Sequence, residues 1–357
     1  MNDQAESIED ERAAIPDMLS VSFAGNANDY FGIWFANMFL NIATLGIWSA
    51  WAKVRRVRYF YGNTKLDGHG FDYLATGGML LKGRLVAFAF LVGLSLLESI
   101  NPAMQGLTSF ILLPLYPWVI QRSLRFNARM TVWRNVRFAW RGTYGQSVMA
   151  FLVWPLIGFV SLGLLAPVAI RAARLYIAEN YDFGKANFAA VAGYSSFYWA
   201  MFLSILLGAA VIVIGVGVLS LPFLESIGLA DENVVAVVAG YGGAPIVLIV
   251  FVITAAFFNA MARNIVVNGL MLDDRHQFHS DVSAPKFAWI AFSNLFATIL
   301  TLGLLRPWAA CRSWRYQAEC LTVLPAGDLS GFIDDQRQAG GTIGEEYSDL
   351  ADMDVSI

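Results

Sequence analysis

The residues of this chain best suited to chemistry are arginines that recur at fixed distances from aromatic residues. Trp51, Arg55, Arg58 and Tyr59 set the pattern, with the arginines four and seven residues after the tryptophan. On a helix this spacing places the three side chains on one face. A guanidinium presents five donors in a planar fork and stacks on aromatic rings, so such a face can hold a phosphate or a carboxylate. The pattern predicts contacts to an anionic lipid or a small solute.

The pattern returns three times along the chain. Two copies keep the tryptophan, and in the third Pro167 stands in its place ahead of Arg171 and Arg174. A block that recurs in this way indicates one structural unit used several times. The candidate contacts are therefore Trp51, Arg55, Arg58, Tyr59, Trp118, Arg122, Arg125, Arg171, Arg174, Trp308, Arg312, Arg315 and Tyr316.

Interfacial anchoring explains the same residues without a ligand. Tryptophan is enriched at the membrane–water boundary, and arginine extends its charged end toward the headgroups. The recurrence favours anchoring, because a binding site usually differs from the symmetric positions around it. Both interpretations place the motif at the edge of a bilayer.

Other chemistry is poorly represented in the sequence. It lacks a nucleophile elbow, a phosphate-binding glycine loop and a dinucleotide fingerprint, so it predicts neither an enzyme nor a bound cofactor. The acidic stretch around His276 and His279 predicts a solvated hairpin rather than a metal site, because the two histidines face opposite sides of a strand. Cys311 and Cys320 lack histidine neighbours and predict neither a zinc site nor a disulfide.

The elements that carry the motif are membrane helices. The chain is 57% hydrophobic and 14% charged, whereas a soluble domain has about 25% charged residues. Stretches within 85–97, 195–223 and 234–262 are almost free of charge, as expected of segments that cross ~30 Å of hydrocarbon. The composition predicts a mainly α, polytopic membrane protein.

Charge divides the chain into three parts. Six acids and one base precede Ser20, and eight acids and one base follow Leu321. The part between them holds 22 bases and 13 acids, although the whole chain has a net charge of −3. A basic body suits the anionic cytoplasmic leaflet. We predict an acidic disordered tail at 1–20, a repeat-built membrane domain at 21–321 and an acidic disordered tail at 322–357.

Short polar stretches with an alternating pattern separate the hydrophobic blocks and predict β-hairpins. Their turns are expected at Asp67-Gly68, Arg134-Asn135, Gly184 and Asp274. Residues 21–24 add a candidate edge strand. Because unpaired strands are not tolerated in lipid, we expect one small cytoplasmic sheet at the inner ends of the helices. The phenylalanines expected to turn inward are Phe71, Phe138, Phe188 and Phe278.

The hydrophobic blocks alternate between short and long. The long blocks predict plain transmembrane hairpins. A short block such as Tyr30–Ala52 admits either a single crossing or a two-helix hairpin that breaks at Thr44-Leu45-Gly46. The hairpin is favoured because it keeps nearly every lysine and arginine on the cytoplasmic side, although arms of ~14–16 residues are shorter than a usual span.

The same residues resemble the YjgN family of bacterial inner-membrane proteins. The similarity rests on Phe23–Gly25 and on residues 30–34, 44–55, 58–73 and 301–316. It covers roughly residues 21–321, and Ser49-Ala50 departs from it where a proline is expected before Trp51. The resemblance implies an inner-membrane location, and it implies no reaction.

The motifs and composition together predict a non-enzymatic, multi-pass protein of the bacterial inner membrane that binds or moves a small solute or lipid. Its expected partners are membrane lipids, with a small solute as a candidate and no nucleic acid. The alternative is a structural or regulatory membrane protein whose cytoplasmic β-hairpins dock a partner. A third, weaker option is an enzyme that acts on lipid. A cavity lined by the repeated arginines would favour the first function.

Overall fold

The computed structural model describes residues 18–101, 104–218, 225, 228 and 243–338. Most of the two predicted acidic tails, at 1–17 and 339–357, lies outside these residues. Within them, helices alternate with short strands. The mainly α prediction holds for the helices, whereas the extent of the sheet exceeds the few short hairpins expected.

The helices differ in length and composition. They are α1 (Ala27–Ala43), α2 (Ser49–Asn63), α3 (Gly77–Ile100), α4 (Met104–Met130), α5 (Tyr144–Val148), α6 (Trp154–Val160), α7 (Ala166–Glu179), α8 (Tyr194–Val218), α9 (Gly243–Val267), α10 (Ala284–Leu300), α11 (Arg306–Glu319) and α12 (329–338). A π-helical turn, Met149–Val153, joins α5 to α6. Among the described residues, Gly77–Ile100, Tyr194–Gly215 and Pro245–Val267 are long and apolar enough to cross a membrane.

All strands belong to one antiparallel sheet. They are β1 (Leu19–Ser20), β2 (Ser22–Phe23), β3 (Thr64–Leu66), β4 (His69–Tyr73), β5 (Thr131–Trp133), β6 (Val136–Trp140), β7 (Tyr181–Phe183), β8 (Ala186–Ala190), β9 (Leu270–Leu272), β10 (His276–Ser280) and β11 (Leu321–Leu324). The order across the sheet is β1-β11-β10-β9-β8-β7-β6-β5-β4-β3-β2. Strands that are adjacent in the sheet are therefore consecutive in sequence, except that β1 lies beside β11.

The hairpin turns fall where the sequence predicts them. Asp67 and Gly68 have φ of 51° and 72°, and Arg134 and Asn135 have φ of 47° and 66°. Two successive left-handed residues match the twist of paired strands, and glycine, asparagine and aspartate tolerate that conformation best. Gly184, with φ of 61°, serves the third hairpin. The fourth hairpin turns at 273–275, around Asp274.

Residues 19–23 close the sheet into a ring. Leu19 pairs with Val323 in β11, and Phe23 pairs with Thr64 in β3. Between them the Val21 amide donates to the Leu321 carbonyl oxygen at 2.9 Å. The prediction of an edge strand at 21–24 is confirmed by β2, which is the last strand in the sheet order. Because β1 and β2 are one residue apart and pair with opposite ends of the sheet, this segment brings the two edges of the sheet together.

Side chains alternate between the inside and the outside of the ring. The inward pairs join aromatic and aliphatic residues, namely Phe71 with Trp133, Phe138 with Phe183, Phe188 with Leu272 and Phe278 with Val323. All of them contact one hydrophobic core, as the sequence predicts. Outward positions such as Lys65, Asp72 and Arg137 carry polar groups. This alternation fits a sheet that faces water outside.

The register corrects one equivalence drawn from the sequence. Phe23 pairs with Thr64 as Tyr73 pairs with Thr131. Phe23 is therefore the counterpart of Tyr73, and Val21 is the counterpart of Phe71. Val21 and Phe23 are both buried in the core. The residue that corresponds to Phe71 in this part of the ring is therefore Val21 and not Phe23.

Three helical segments leave the ring and return to it through loops of the same conformation. In the first, α1 ends at Ala43 and α2 begins at Ser49. Leu45 and Gly46 take φ of 50° and 90° between them, and Leu162-Gly163 and Leu302-Gly303 repeat these angles within a few degrees. The loop leucines are 95%, 94% and 95% exposed. Glycine suits the second position because side chains disfavour positive φ.

Ordered structure continues past Leu321, the predicted end of the membrane domain. Strand β11 runs to Leu324, and in α12 the side chains of Phe332 and Ile333 are buried in the core of the ring. The Gln336 Oε1 accepts hydrogen bonds from the amides of Lys185 and Ala186 at 2.8 and 3.2 Å. Helix α12 therefore lies across the turn end of the ring. The acidic composition of 322–357 gave no indication that Phe332 and Ile333 are buried.

Candidate functional site

The three copies of the motif that contain tryptophan hold matching positions in helices that lead into a strand. Arg55 and Arg58 stand nine and six residues before Thr64, the first residue of β3. The pairs Arg122/Arg125 and Arg312/Arg315 stand at the same distances before β5 and β11. Equal distance from the sheet means equal depth in the helical layer. The contacts of these arginines can therefore be compared position by position.

In two of the copies, the second arginine ties its helix to the backbone of the hairpin that follows in the sheet. Arg58 donates to the carbonyl oxygens of Tyr73 and Ala75 at 3.0 and 2.8 Å. Arg315 donates to the Gly25 carbonyl oxygen at 2.7 Å. These carbonyls lie where a strand leaves the ring for the next helix. Hydrogen bonds from a charged donor are strong, so this position has a structural role.

The first arginine stacks on tryptophan. The Arg55 guanidinium lies 5.1 Å from the ring centre of Trp48. The matching distances are 5.4 Å for Arg122 over Trp118 and 5.1 Å for Arg312 over Trp308. Trp51, the partner expected from spacing, instead lies against Gly77, where a Cβ would come within 2.4 Å of its ring. Trp51 therefore packs between helices, and Arg55 stacks on Trp48 instead.

The tyrosine of the motif fixes the start of a neighbouring helix. The Tyr59 hydroxyl accepts from the Asn26 amide at 2.8 Å and donates to the Asn26 carbonyl oxygen at 2.6 Å. The Tyr316 hydroxyl accepts from the Ser283 amide at 2.9 Å. Asn26 and Ser283 are the caps of α1 and α10. Both tyrosines therefore satisfy backbone groups at helix ends.

Arg171 and Arg174 do not match the other copies. They stand ten and seven residues before Tyr181, the first residue of β7, one position earlier than Arg55 and Arg58 relative to β3. One residue rotates a side chain by about 100° on a helix. Arg171 donates to the Ala192 carbonyl oxygen at 2.7 Å, and Arg174 donates to the Asn259 side chain. Arg171 therefore contacts the loop after β8, as Arg58 contacts the loop after β4, whereas Arg174 joins α7 to α9. Pro167 stands one position out of register with the tryptophans.

Four of the predicted residues meet in one cavity. Trp308, Arg312, Arg315 and Tyr316 line a space of about 250 Å³, which we call the α10–α11 cavity. The first residue of α1, two residues of the α10–α11 pair and one acid complete its lining, namely Ala27, Ile290, Cys311 and Glu319. The remaining predicted residues lie outside this cavity. Among them, Arg125 lies close enough to the Tyr176 hydroxyl of α7 to act on it electrostatically.

Arg312 keeps donors for a ligand in this cavity. Its Nη1 donates to the Ser293 hydroxyl at 2.6 Å and to the Asn294 amide oxygen at 3.1 Å, which fixes the guanidinium on α10. No described residue accepts a hydrogen bond from its Nε or Nη2. Glu319 places a carboxylate in the same cavity, so the charge of the site is mixed. Spacing identified the arginines, whereas Glu319, Ser293 and Asn294 carried no signal in the sequence.

The histidines occupy separate environments. His276 is buried inside the ring, and its Nδ1 accepts a hydrogen bond from the Ala326 amide at 3.1 Å. His279 is exposed on the outer face of the same strand. Within the described ranges, no three histidine, cysteine or acidic side chains lie together as metal ligands would. The two histidines thus face opposite sides, as the sequence predicts.

Comparison with known proteins places the chain among membrane proteins. The family model described as "Bacterial protein of unknown function (DUF898)" matches residues 18–350. The protein named inner membrane protein YjgN of Salmonella typhimurium strain LT2 is 27% identical over 331 residues, which cover 80% of this chain and 83% of that protein. No solved structure matches the chain.

Two further relatives carry the same name. The proteins named inner membrane protein YjgN of Escherichia coli O157:H7 and K12 are 34% and 33% identical over 121 residues, which cover 34% of this chain and 30% of each relative. The family model spans most of the chain, including the ring and the arginine motifs. These matches confirm the resemblance drawn from the motifs. This membrane protein belongs to the YjgN/DUF898 family.

Proposed function

We propose that this membrane protein binds the phosphate of a phospholipid headgroup in the α10–α11 cavity. The observation that carries the proposal is that Arg312 and Arg315 line one cavity with Trp308. Two guanidiniums supply planar donor pairs that match phosphate oxygens, and tryptophan suits the membrane–water boundary. A volume of about 250 Å³ is below the ~300–1,000 Å³ of pockets that enclose a drug-sized ligand, so it suits a headgroup rather than a whole lipid.

The proposed site requires the cavity to lie at the level of the headgroups. We propose that the ring lies in water and that the three loops with Leu45, Leu162 and Leu302 at their tips enter the hydrocarbon. The polar outer face of the ring and the exposed leucines support this placement. A helix of 17 residues such as α1 spans roughly 25 Å, less than the ~30 Å hydrocarbon core. The three helical pairs would therefore enter the membrane without crossing it.

The ring side is proposed to be cytoplasmic. Lysines and arginines follow the ring and the helix ends beside it, as Lys65, Arg137 and Lys185 illustrate. Basic residues accumulate on the cytoplasmic side of membrane proteins. This placement also brings Arg312 and Arg315 to the cytoplasmic leaflet, where anionic lipids attract basic groups.

The chain is further proposed to contain five related units of helices and a β-hairpin, one of them split between the two termini. The loop glycines Gly46, Gly163 and Gly303 each stand 18 residues before the first residue of a strand. The inward strand pairs repeat in register around the ring. A fixed spacing combined with a fixed register supports descent from one unit.

Substitution of Arg312 tests the headgroup site. Full-length protein in neutral detergent is titrated with a short-chain phosphatidylglycerol, and binding is followed by calorimetry. We expect Arg312→Gln to weaken binding at least tenfold. Arg55→Gln is the matched control, because Arg55 holds the same position on α2 and stacks on Trp48 outside the cavity. Equal affinities for the two variants would overturn the proposal.

Two more titrations sharpen the test. Glu319→Gln removes the carboxylate from the cavity, so it should tighten binding of phosphatidylglycerol severalfold. Glycerol phosphate without acyl chains separates a headgroup site from a site for a free phosphate solute, because the free phosphate should bind more weakly than the lipid. Binding of glycerol phosphate as tight as that of the lipid would instead assign the cavity to a soluble phosphate.

Transport through the membrane stays a prediction of the sequence, as does the docking of a protein partner on the hairpins. Transport requires the site to open toward two sides, and partner docking requires a distinctive exposed face on the ring. The outward strand positions mix both signs of charge, as Lys65 and Asp72 show. The cavity with paired arginines is therefore the more specific basis for a function.

A further inference from the structure

A second cavity lies between α4 and the helices α6 and α7. It has a volume of about 900 Å³, and we call it the α4–α7 groove. Its lining is apolar and includes Tyr116, Phe151, Gly158, Phe159, Ile170 and Ala173. The groove contains none of the residues of the α10–α11 cavity and does not depend on that site.

Small residues create the space. Ala166 stands three residues after the loop glycine Gly163, as Arg306 stands three residues after Gly303. Ala173 stands ten residues after Gly163, as Arg56 stands ten residues after Gly46. Five residues before the loop glycine, Gly158 holds the place of Asn41 in α1. The α6–α7 pair therefore lacks the long or polar side chains that its counterparts carry. The gap beside α4 remains unfilled as a result.

Helix α4 is held at a distance that keeps the groove open. The Tyr144 hydroxyl donates to the Pro114 carbonyl oxygen at 3.0 Å, and the Ser147 hydroxyl donates to the Pro117 carbonyl oxygen at 2.8 Å. Both prolines lie inside α4, where a proline bends a helix. The π-helical turn at 149–153 follows directly and adds an extra residue per turn on the groove side. The chain thus fixes the width of the groove with hydrogen bonds near one end.

The surroundings of the groove identify its occupant. Its rim residues Phe159 and Leu162 are exposed large hydrophobic side chains, and Leu162 is one of the three loop tips. A cavity lined by apolar groups offers water too few partners to hold it. Because the chain belongs to a family of membrane proteins and these rim side chains are exposed, we expect hydrocarbon chains to contact the mouth of the groove.

Two aromatic side chains mark the end of the groove that faces the β-sheet. There the rings of Phe151 and Tyr176 meet edge to face at 5.6 Å and close the space. Arg125 lies within electrostatic reach of the Tyr176 hydroxyl. A chain lying in the groove would therefore have its polar end near a cation, which matches a phospholipid phosphate. We propose that the α4–α7 groove holds one acyl chain of a membrane phospholipid.

Photochemical labelling tests this proposal. The full-length protein is reconstituted in vesicles of phosphatidylethanolamine and phosphatidylglycerol, with a trace of phospholipid that carries a diazirine in the part of one acyl chain close to the headgroup. After illumination, labelled residues are mapped by mass spectrometry. We expect labels on Ile170 and Ala173, which are half-buried and line the groove. Ala173→Phe should reduce them at least fivefold and leave labelling of the exposed face of α1 at Phe35 and Phe39 unchanged.

A matched control and a milder variant keep the test decisive. Ala36→Phe adds the same side chain to the exposed face of α1 and should leave labelling in the groove unchanged. Ala173→Leu serves where Ala173→Phe lowers the melting temperature, and it should still reduce the labels at least twofold. The proposal is overturned where Ile170 and Ala173 carry no label in the unmodified protein, or where neither substitution at position 173 changes it. Loss of headgroup binding in Arg312→Gln would not affect this result.

Discussion

The guanidinium of Arg315 donates a hydrogen bond of 2.7 Å to the carbonyl oxygen of Gly25, so a helix near the end of the chain holds a strand segment near its beginning. Arg58 makes the matching contact to Ala75 within a single hairpin. The second arginine of the motif therefore secures the junction between ring and helices. The first arginine stacks on tryptophan, and only at Arg312 does it also line the α10–α11 cavity.

Replacement of Arg315 by alanine should destabilise the protein by about 1–3 kcal/mol, because it leaves the carbonyl of buried Gly25 without its donor. Arg55→Ala is the matched control, since Arg55 stacks on Trp48 and should cost less than 1 kcal/mol at an exposed site. Melting of the purified variants in one detergent gives the comparison. Equal losses for the two variants would contradict the division of roles between the arginines.

Closure of the ring by residues 19–23 should make Val21 important for folding. Val21→Asp places a charge in the core shared by Val21 and Phe23, and an unpaired buried charge is strongly unfavourable. Ser22→Asp is the control, because Ser22 points outward between Val21 and Phe23. We expect Val21→Asp to abolish recovery of folded protein and Ser22→Asp to retain it. Normal melting of Val21→Asp would show that the ring does not need this segment.

Local features of the fold were accessible from the sequence. Turns at Asp67-Gly68 and Arg134-Asn135 were predictable because each contains glycine, asparagine or aspartate, the residue types that best tolerate a left-handed conformation. The inward direction of Phe71 follows from strand alternation once the turn is fixed. Closure of the ring was not predictable, because it joins β1 to β11 across most of the chain and no local pattern encodes that pairing.

The site was predicted only in part for a similar reason. Spacing identified Arg312 and Arg315, since residues four and seven positions after Trp308 lie on the same helix face as the tryptophan. It also included Arg171, which stands one position out of register, because a sequence pattern without the strand boundary cannot fix helical phase. Glu319 was not predicted, because its position on α11 resembles that of any exposed acidic residue.

Helix α12 should contribute to stability although it lies in the acidic part of the chain. Phe332 contacts Phe183 and His276 inside the ring. Phe332→Ala should therefore cost about 3–5 kcal/mol, as deletion of a large buried side chain does. Gln338→Ala, at an exposed position of the same helix, should have little effect. The two variants are compared by thermal melting, and a small loss for Phe332→Ala would show that α12 is only loosely attached.

The position of the ring relative to the membrane can be tested by labelling single cysteines in a variant without Cys311 and Cys320. Lys185→Cys and Asp274→Cys lie at exposed hairpin turns. Both should be protected from a membrane-impermeant thiol reagent in intact cells and should react after the inner membrane is opened. Labelling of either position from outside would place the ring in the periplasm. It would also remove the cytoplasmic headgroup site proposed above.

Acid should loosen the ring through His276. This side chain is 2% exposed, and its Nδ1 accepts the Ala326 amide, so the neutral ring with its proton on Nε2 is the form that fits. Burial lowers the pKa of His276, the neighbouring Arg275 lowers it further, and Asp273 opposes both. The only described ring packed on it from another element is that of Phe332, which is uncharged.

The sign of the pH dependence follows from this lowered pKa. The unfolded chain binds a proton at His276 near pH 6.5, whereas the folded chain resists protonation, so stability contributed by neutral His276 is present above that pH and is lost as the pH falls below it. The loss approaches about 1.4 kcal/mol per pH unit where only the unfolded state is protonated. His276→Asn keeps an acceptor for the Ala326 amide and cannot titrate. Melting between pH 8 and pH 5 should therefore fall more steeply for the unmodified protein than for His276→Asn, and parallel curves would exclude His276 as the source of acid sensitivity.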